Sequence, residues 1–254
     1  FQHYPQNSRD IDRAILRRAV NSGYQTLVLT IDVPITRKVR ELRRGLSLPL
    51  KLGPKTLWDV AKRPSWAFAS IRAGIPRFEN WIPHLPDNYS ARQMPQFLTD
   101  LPILPHQTLV EDLVWFRDNW RGRLIVKGIL HHTDASKCRE IGVDAIVVSN
   151  HGGRQLDEAP AALQMIPAIR ETVGPDYPLL VDGGVRHGGE IAVALALGAD
   201  FVLLGRAFML AVAALGQPGA AHVMDILKSE LRTTLIQIGC KRLDQLPDFL
   251  SIKE

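Results

Sequence analysis

The hydrophobic pattern of this chain alternates between two kinds of segment. Short apolar runs that end in polar residues or glycine are typical of buried parallel strands, because both faces of such strands are covered. The longer segments between them carry apolar residues every three or four positions, which is the spacing of a helix with one buried face. The alternation predicts an α/β fold built around a parallel sheet.

The same pattern sets the bounds of individual elements. Strands are predicted from Phe1, at Gln25 to Pro34, Arg123 to Ile129 and Ala145 to Val148, from Leu179, and within Gly198 to Phe208. Helices are predicted at Ser8 to Ser22, Leu109 to Trp120, Asp134 to Ile141, Ala159 to Val173, Gly188 to Leu197 and Gln217 to Ile238. The segment from Ile35 to Arg77 is predicted as a loop region.

The composition favours a single domain. The chain has 254 residues, of which 46% are apolar, enough for one core of the size that a (β/α)8 barrel needs. Cys138 and Cys240 share no motif spacing, which argues against a disulfide framework or a zinc site and favours a reducing compartment. No apolar run has the length of a membrane span and no leader opens the chain, so a cytoplasmic protein is expected.

The loop region from Ile35 to Arg77 concentrates positive charge. It holds eleven Lys or Arg against two acidic residues, a surplus larger than the net charge of +5 of the whole chain. Trp58, Trp66 and Phe68 lie among these charges. Such a segment could bind the anionic inner face of the cell membrane, or pack on a barrel with its charges solvated. No nucleic-acid motif accompanies the charge, so no nucleic-acid partner is expected.

The stretch DAIVVSNHGGRQLD, Asp144 to Asp157, carries the first candidate chemistry. Its apolar run ends in His151 and Arg154, a proton-accepting imidazole beside a guanidinium that can hold a carboxylate through two hydrogen bonds. The pair suits proton removal from a small acid. Taken alone, however, it is more simply explained by a histidine that caps a turn and an arginine in solvent.

Two later stretches, LLVDGGVRHGGE and GADFVLLGRAF, repeat the plan of strand, glycine turn and helix start. Gly183, Gly184 and Gly205 let backbone N–H groups approach a ligand, and Arg186 and Arg206 add positive charge at the same rim. At either loop taken alone, the alternative to a ligand site is that the glycines only allow close packing. Because two consecutive strand ends carry both glycine and arginine, a phosphate site is favoured.

These three motifs, in this order, resemble the FMN-dependent 2-hydroxy-acid oxidising family, which includes L-lactate dehydrogenases, mandelate dehydrogenases and glycolate oxidases. The similarity extends from Phe1 to about Leu246. It implies a TIM (β/α)8 barrel, FMN as cofactor and oxidation of an L-2-hydroxy acid, most directly L-lactate, to the 2-oxo acid. It also implies quinone, a cytochrome or oxygen as electron acceptor, and a homotetramer.

The resemblance aligns the segment at Phe1 with the third barrel strand. Six strand–helix units would leave open sheet edges, so a fragment that lacks the N-terminal strands is expected. Residues 1–254 are then one incomplete barrel domain, with a basic loop insertion at about residues 35–105.

The resemblance also assigns roles to residues. His151 is the catalytic base and Asp32 its hydrogen-bond partner, a role that fixes the tautomer and raises the basicity of the imidazole. The substrate ligands are Tyr4, Lys38 (or Arg37), His151 and Arg154. The cofactor ligands are Gln2, Thr30, Lys127, Ser149, Asp182, Gly183, Gly184, Val185, Arg186, Gly205 and Arg206. Lys127 ends an apolar strand, where a lysine is costly unless it meets a negative charge.

Two alternatives remain open at this point. Another FMN barrel, such as a flavin-dependent isomerase, would share the phosphate loops but would not need His151 and Arg154. A truncated remnant that binds phosphate without catalysis is the other. No metal is expected: His131 and His132 have no third ligand at metal spacing and are predicted as loop residues.

Overall fold

A computed structural model of the protein describes residues 1–6, 8–34, 53–74, 78–85, 89–90, 93 and 109–251. The chain divides into two compact units. The first contains Phe1–Pro5, Leu16–Pro34 and His106–Glu254, and the second contains Gln6–Ile15 and Ile35–Pro105.

A parallel sheet forms the centre of the first unit. In the described residues it has six strands in the order β1 to β6, and every pair of neighbours is parallel. The strands are β1 (Gln2–His3), β2 (Thr26–Thr30), β3 (Arg123–Ile129), β4 (Ala145–Val148), β5 (Leu179–Val181) and β6 (Phe201–Val202). Sequential parallel order with intervening helices is the arrangement of an α/β barrel, as the hydrophobic pattern predicted.

Six of the nine helices among the described residues follow the predicted positions to within three residues. The nine are α1 (Arg9–Asn21), α2 (Pro54–Ala61), α3 (Pro64–Ala73), α4 (Leu109–Asn119), α5 (His132–Glu140), α6 (Ala162–Val173), α7 (Gly188–Ala196), α8 (Arg206–Leu215) and α9 (Gly219–Ile238). Short 3-10 helices lie at Ile82–His84 and Leu243–Phe249. Among the described residues, no helix is both long and apolar enough to cross a membrane.

The core of the first unit lies between the sheet and its helices. Leu124 and Val126 of β3 are completely buried, as are Phe116 of α4 and Ile166 of α6. Apolar side chains therefore cover the outer face of the strands, whereas the polar residues that follow each strand remain at the rim. This arrangement explains why each strand is an apolar run in the sequence that ends abruptly in polar residues or glycine.

Both edges of the sheet lack a neighbouring strand within the described residues. Beside β6 lies an apolar groove of about 1060 Å³, whose lining includes Leu203, Leu204 and Phe208. Phe201 of β6 is 60% exposed, and Leu210 of α8 is 55% exposed. Within the described residues, the sheet therefore has six strands and does not close on itself. Unpaired strand edges beside exposed apolar side chains favour association.

The second unit contains two helices that the sequence analysis missed. The segment predicted as a loop forms α2 and α3, each of which has proline in its first turn. The loop prediction was wrong there, because Pro54 and Pro64 begin these helices and the fixed φ of proline suits the first position of a helix. Trp58, Phe68 and Ile71 are exposed on these helices.

Candidate active site at the carboxyl ends of the strands

The predicted site residues that the structure describes lie where the strands end. Tyr4 follows β1, Asp32 follows β2, His151 follows β4 and the Asp182 loop follows β5, while Lys127 lies near the end of β3. The carboxyl ends of parallel strands meet at one rim, which is where α/β barrels hold their active sites. Lys38 and Arg37, predicted to bind substrate, lie outside the described residues.

His151 and Asp32 are in direct contact. The Nδ1 atom of His151 lies 3.1 Å from both carboxylate oxygens of Asp32, although the residues are 119 positions apart. Both side chains are largely buried, with exposed fractions of 21% and 12%. A carboxylate on Nδ1 places the ring proton there and leaves Nε2 as the proton acceptor.

Lys127 is buried and meets a negative charge, as its position required. Its Nζ lies 2.8 Å from Asp182 Oδ2 and 2.8 Å from Ser149 Oγ. A buried ammonium is tolerated when it is paired and hydrogen-bonded, so these contacts explain a lysine inside the sheet. The Ser149 hydroxyl also accepts a hydrogen bond from the backbone N–H of His151 at 3.0 Å. This bond connects Lys127 to the loop that carries His151, called the histidine loop below.

The rim residues around Asp182 fit a bound FMN. Asp182 Oδ1 is buried and has no hydrogen-bond partner among the described residues, and the hydroxyl groups of a ribityl chain could supply one. Gly183 and Gly184 have φ values of +102° and +90°. A Cβ atom built on Gly184 or Gly205 would meet nothing within 4 Å, so both glycines border open space.

The two arginines of these loops differ in their surroundings. Gly205 is the N-cap of α8, and Arg206 is its first residue, so a phosphate there would meet a helix N-terminus. Arg206 Nη2 donates to Gly152 O at 2.7 Å, which brings the β6 loop against the histidine loop. Arg186 is exposed, while the preceding Val185 is buried.

Tyr4 lies among the charges of the same rim. Burial raises the pKa of its phenol, and the negative charge of Asp32 raises it further. A hydrogen bond with Thr30 and the charge of Arg154 act in the opposite direction, and Asp182 makes a smaller contribution that raises this pKa. Tyr4 is therefore a neutral phenol that can donate a hydrogen bond near neutral pH.

The remaining predicted ligands of the rim are Gln2, Thr30 and Arg154. Gln2 Nε2 donates to Thr30 Oγ1 at 2.8 Å and lies 3.4 Å from the Tyr4 hydroxyl. The guanidinium of Arg154 is exposed and makes no hydrogen bond or ion pair with another described residue. An exposed arginine three residues after His151 can hold a carboxylate.

One residue of this site was missed by the sequence analysis. Asn150 Oδ1 accepts hydrogen bonds from the backbone N–H groups of Gly152 and Gly153 at 3.0 and 3.2 Å. Asparagine commonly bonds the backbone two residues further on, so its place before His-Gly-Gly was the signal that could have indicated this turn.

The prediction that His131 and His132 are both loop residues needs correction. His132 is the first residue of α5, and His131 is its N-cap, with Nδ1 accepting the Thr133 N–H at 3.3 Å. The imidazole rings stack at 4.4 Å. Within the part of the chain that the structure describes, no group of three or more His, Cys, Asp or Glu is arranged to hold a metal.

These features agree with the family to which the chain belongs. A family model described as FMN-dependent dehydrogenase matches residues 1–252, so the protein is a member of the FMN-dependent dehydrogenases. FMN is the cofactor of this family, and its members that match this chain act as 2-hydroxy-acid dehydrogenases and oxidases.

Several individual relatives are similar over nearly the whole chain. It is 38% identical over 248 residues to an L-lactate dehydrogenase of Caulobacter sp. (strain K31), which covers 97% of this chain and 64% of the relative. It is 36% identical over 244 residues to an (S)-mandelate dehydrogenase of Pseudomonas putida, which covers 95% and 61%. It is 39% identical over 248 residues to an L-lactate oxidase of Alicycliphilus denitrificans (strain DSM 14773 / CIP 107495 / K601), which covers 97% and 61%. The chain thus spans 61% to 64% of the length of these relatives.

Solved structures show the same likeness. The monotopic membrane protein (S)-mandelate dehydrogenase superposes with a TM-score of 0.89 at 36% identity, covering 99% of this chain and 66% of that one. A mandelate oxidase variant with (S)-mandelic acid superposes with a TM-score of 0.69 at 30% identity, covering 97% and 60%. The fold is therefore that of the FMN-dependent TIM-barrel enzymes.

Proposed function

We propose that this protein oxidises an L-2-hydroxy acid to the corresponding 2-oxo acid with FMN as cofactor, and that L-lactate is the substrate. The observation that carries the proposal is the contact of His151 Nδ1 with Asp32 at 3.1 Å. Arg154 follows three residues later and forms no hydrogen bond or ion pair with another described residue. A base held in one tautomer next to a carboxylate ligand suits proton removal from a hydroxy acid. L-lactate is the preferred candidate because two of the three relatives described above are named for it.

The chemistry is divided among residues of the rim. FMN, when bound, supplies the two-electron acceptor of the oxidation. Arg154 grips the substrate carboxylate and Tyr4 donates a hydrogen bond from its phenol, which together orient the substrate. His151 Nε2 then accepts the proton that the substrate releases, and the Asp32 carboxylate stabilises the imidazolium that results.

The proposed cofactor ligands have complementary roles. Lys127 offers positive charge at the end of β3, where it would favour the form of FMN that carries the electrons of the substrate. The open faces of Gly184 and Gly205 and the N-terminus of α8 would receive the ribityl phosphate, with Arg206 nearby. Gln2, Thr30, Ser149, Gly183, Val185 and Arg186 complete the proposed set.

We further propose that residues 35–105 are an insertion in one barrel domain and that this insertion contacts the membrane surface. Exposed Trp58, Trp66 and Phe68 support this, together with the basic Lys62, whose Nζ lies 5.2 Å from the Trp58 ring centroid. Quinone, a cytochrome or oxygen would then take the electrons. A homotetramer is proposed from the family resemblance, and light scattering of the purified protein tests it.

The decisive experiment is anaerobic titration of the purified protein with candidate acids. L-lactate is expected to bleach the flavin absorbance near stoichiometry, and D-lactate is the control with the same composition. Bleaching by (S)-mandelate but not L-lactate would move the substrate assignment to an aromatic acid. A flavin-loaded protein that no 2-hydroxy acid bleaches would contradict the proposed activity.

A further inference from the structure

We propose that Asn150 is the positioning residue of the proposed base: its side-chain amide holds the His151 loop in the conformation that keeps His151 on Asp32. This inference rests on the proposed function for its kinetic consequence, whereas the loop conformation can be tested without it. Among the described residues, the Asn150 side chain bonds the backbone of Gly152, Gly153 and Pro160 and not Asp32, so it acts through the backbone that carries His151.

The His151 backbone needs outside support. Its φ is +56°, and among the described residues it is the one residue other than glycine with positive φ. A side chain in the left-handed region is disfavoured because Cβ approaches the backbone, so such a conformation persists only where surrounding contacts determine it. Contacts from neighbouring groups must therefore keep His151 in this conformation.

The Asn150 side chain supplies contacts on both sides of the turn. Its Oδ1 accepts the N–H groups of Gly152 and Gly153 at 3.0 and 3.2 Å, immediately after His151. Its Nδ2 donates to Pro160 O at 3.1 Å, which anchors the same amide to the segment that leads into α6. One side chain thus uses both its acceptor and its donor to bind the loop at three backbone groups.

The loop after β5 also limits the space around the Asn150 amide. A Cβ atom built on Gly183 would lie 2.5 Å from Asn150 Oδ1, so the absence of a side chain at Gly183 makes room for the amide oxygen. On the other side of the turn, a Cβ on Gly152 would lie 2.7 Å from Arg206 Nη2. The histidine loop is therefore fitted between the two loops proposed to hold FMN, with Asn150 filling the space at Gly183.

This arrangement predicts a defect in turnover that leaves cofactor binding in place. In Asn150→Ala the turn loses three side-chain hydrogen bonds, and a displacement of His151 by about 1 Å can lower the rate on the order of 10²-fold. We expect kcat to fall by roughly that factor and KM to change by less than about threefold, because Arg154 still binds the substrate. Bound flavin per chain should stay at the wild-type level.

The conservative variant separates positioning from general structural damage. Asn150→Asp keeps an acceptor for Gly152 and Gly153 but loses the donor to Pro160, so it should recover about tenfold or more of the lost kcat. Asn119→Ala is the matched control, because it removes an equivalent amide that donates to Trp115 O at 2.8 Å near the end of α4. It should leave both kinetic constants unchanged.

Hydrogen exchange of the holoprotein gives a readout independent of activity. Amides in residues 150–154 should exchange faster in Asn150→Ala and remain protected in Asn150→Asp and Asn119→Ala, because exchange follows local opening of the turn. If the wild-type protein oxidises no 2-hydroxy acid, the proposed function fails, and this exchange pattern still decides whether Asn150 fixes the loop. Unchanged exchange in Asn150→Ala, unchanged kcat in that variant, or an Asp variant as impaired as the Ala variant would each overturn the inference.

Discussion

Asp182 holds Lys127 through one carboxylate oxygen, with Oδ2 2.8 Å from Nζ, while its Oδ1 is buried without a hydrogen-bond partner among the described residues. The side chains are 10% and 19% exposed, respectively for Lys127 and Asp182. One oxygen therefore neutralises the only charged group at the end of β3, and the other is available to a ligand at the rim. The Asp182 carboxylate thus pairs with the buried Lys127 and also borders the proposed FMN site.

We predict that Asp182→Asn destabilises the protein and weakens FMN binding. Removing one partner of a buried ion pair leaves a charge without compensation, which costs on the order of 3 kcal/mol. The measurement is thermal unfolding of the flavin-free protein together with flavin retention after dialysis. Asp176→Asn, which neutralises an exposed carboxylate in a turn, is the control. An unchanged Tm and unchanged flavin retention would show that the pair contributes nothing to either.

We predict that His151→Gln retains FMN but loses turnover. Glutamine removes the proton acceptor and leaves the glycine loops around the phosphate in place, so the rate should fall by about 10² to 10⁴. Flavin absorbance and steady-state oxidation of L-lactate measure the two effects separately. Asp32→Asn should also slow the reaction, because it removes the charge that stabilises the imidazolium. A loss of less than about tenfold in His151→Gln would exclude His151 as the base.

We predict that stability falls at alkaline pH through Cys138. Burial, followed by the charge of Asp134, raises the pKa of this thiol from 9.0 to about 12. The folded state therefore binds the thiol proton more tightly than the unfolded state, and the resulting stability is complete below pH 9 and lost as pH rises from 9 to 12. Burial likewise raises the pKa of Tyr177, so the titration of this phenol also lowers the stability of the folded state as pH rises into the alkaline range.

The measurement is the Tm between pH 8 and 11. Cys138→Ala should reduce the slope of Tm against pH, since the thiol no longer titrates, whereas Ser136→Ala on the same helix should leave the slope unchanged. Native Cys138 should also resist alkylation at pH 9. A slope that is identical in Cys138→Ala and in the wild type would assign the alkaline loss to other groups.

We predict that these 254 residues, expressed alone, self-associate through the β6 side of the sheet. The unpaired strand edge, the apolar groove and the exposed face of α8 together offer backbone hydrogen bonds and apolar surface. Light scattering should show large species, and Phe201→Lys with Leu210→Lys should shift them toward the monomer. Val114→Lys, which changes an exposed apolar residue of α4, should not. A monodisperse monomer that melts cooperatively would contradict the prediction.

We predict that the flavin-loaded protein sediments with vesicles of acidic lipid and is released by salt. The attraction of Lys62, Arg63 and Arg72 to such a surface is screened within about 10 Å at 0.1 M salt. Phe68→Ser should weaken sedimentation, because this side chain is 69% exposed and would enter the interface. Phe249→Ser removes an exposed aromatic residue of the other unit and is the control. Sedimentation that is insensitive to lipid charge and to Phe68→Ser would end the membrane proposal.

The local pattern of the sequence determined most of the elements around the sheet. The bounds predicted for β3 and β4 match the structure, and those of α4, α7 and α9 agree within two residues. Periodicity succeeds here because each element buries its own apolar face against one core. It failed for α2 and α3, each of which begins at a proline and carries exposed aromatic side chains.

The sequence also determined which residue types stand at the strand ends, and the order of the three motifs was sufficient to recognise the family. Only the tertiary structure brought His151 within 3.1 Å of Asp32, gave Lys127 its partner Asp182 and fitted Asn150 against Gly183. These contacts depend on the register and spacing of separate strands. Side chains that lie far apart along the chain meet only when the parallel sheet brings its carboxyl ends to one rim, and no local periodicity encodes that geometry.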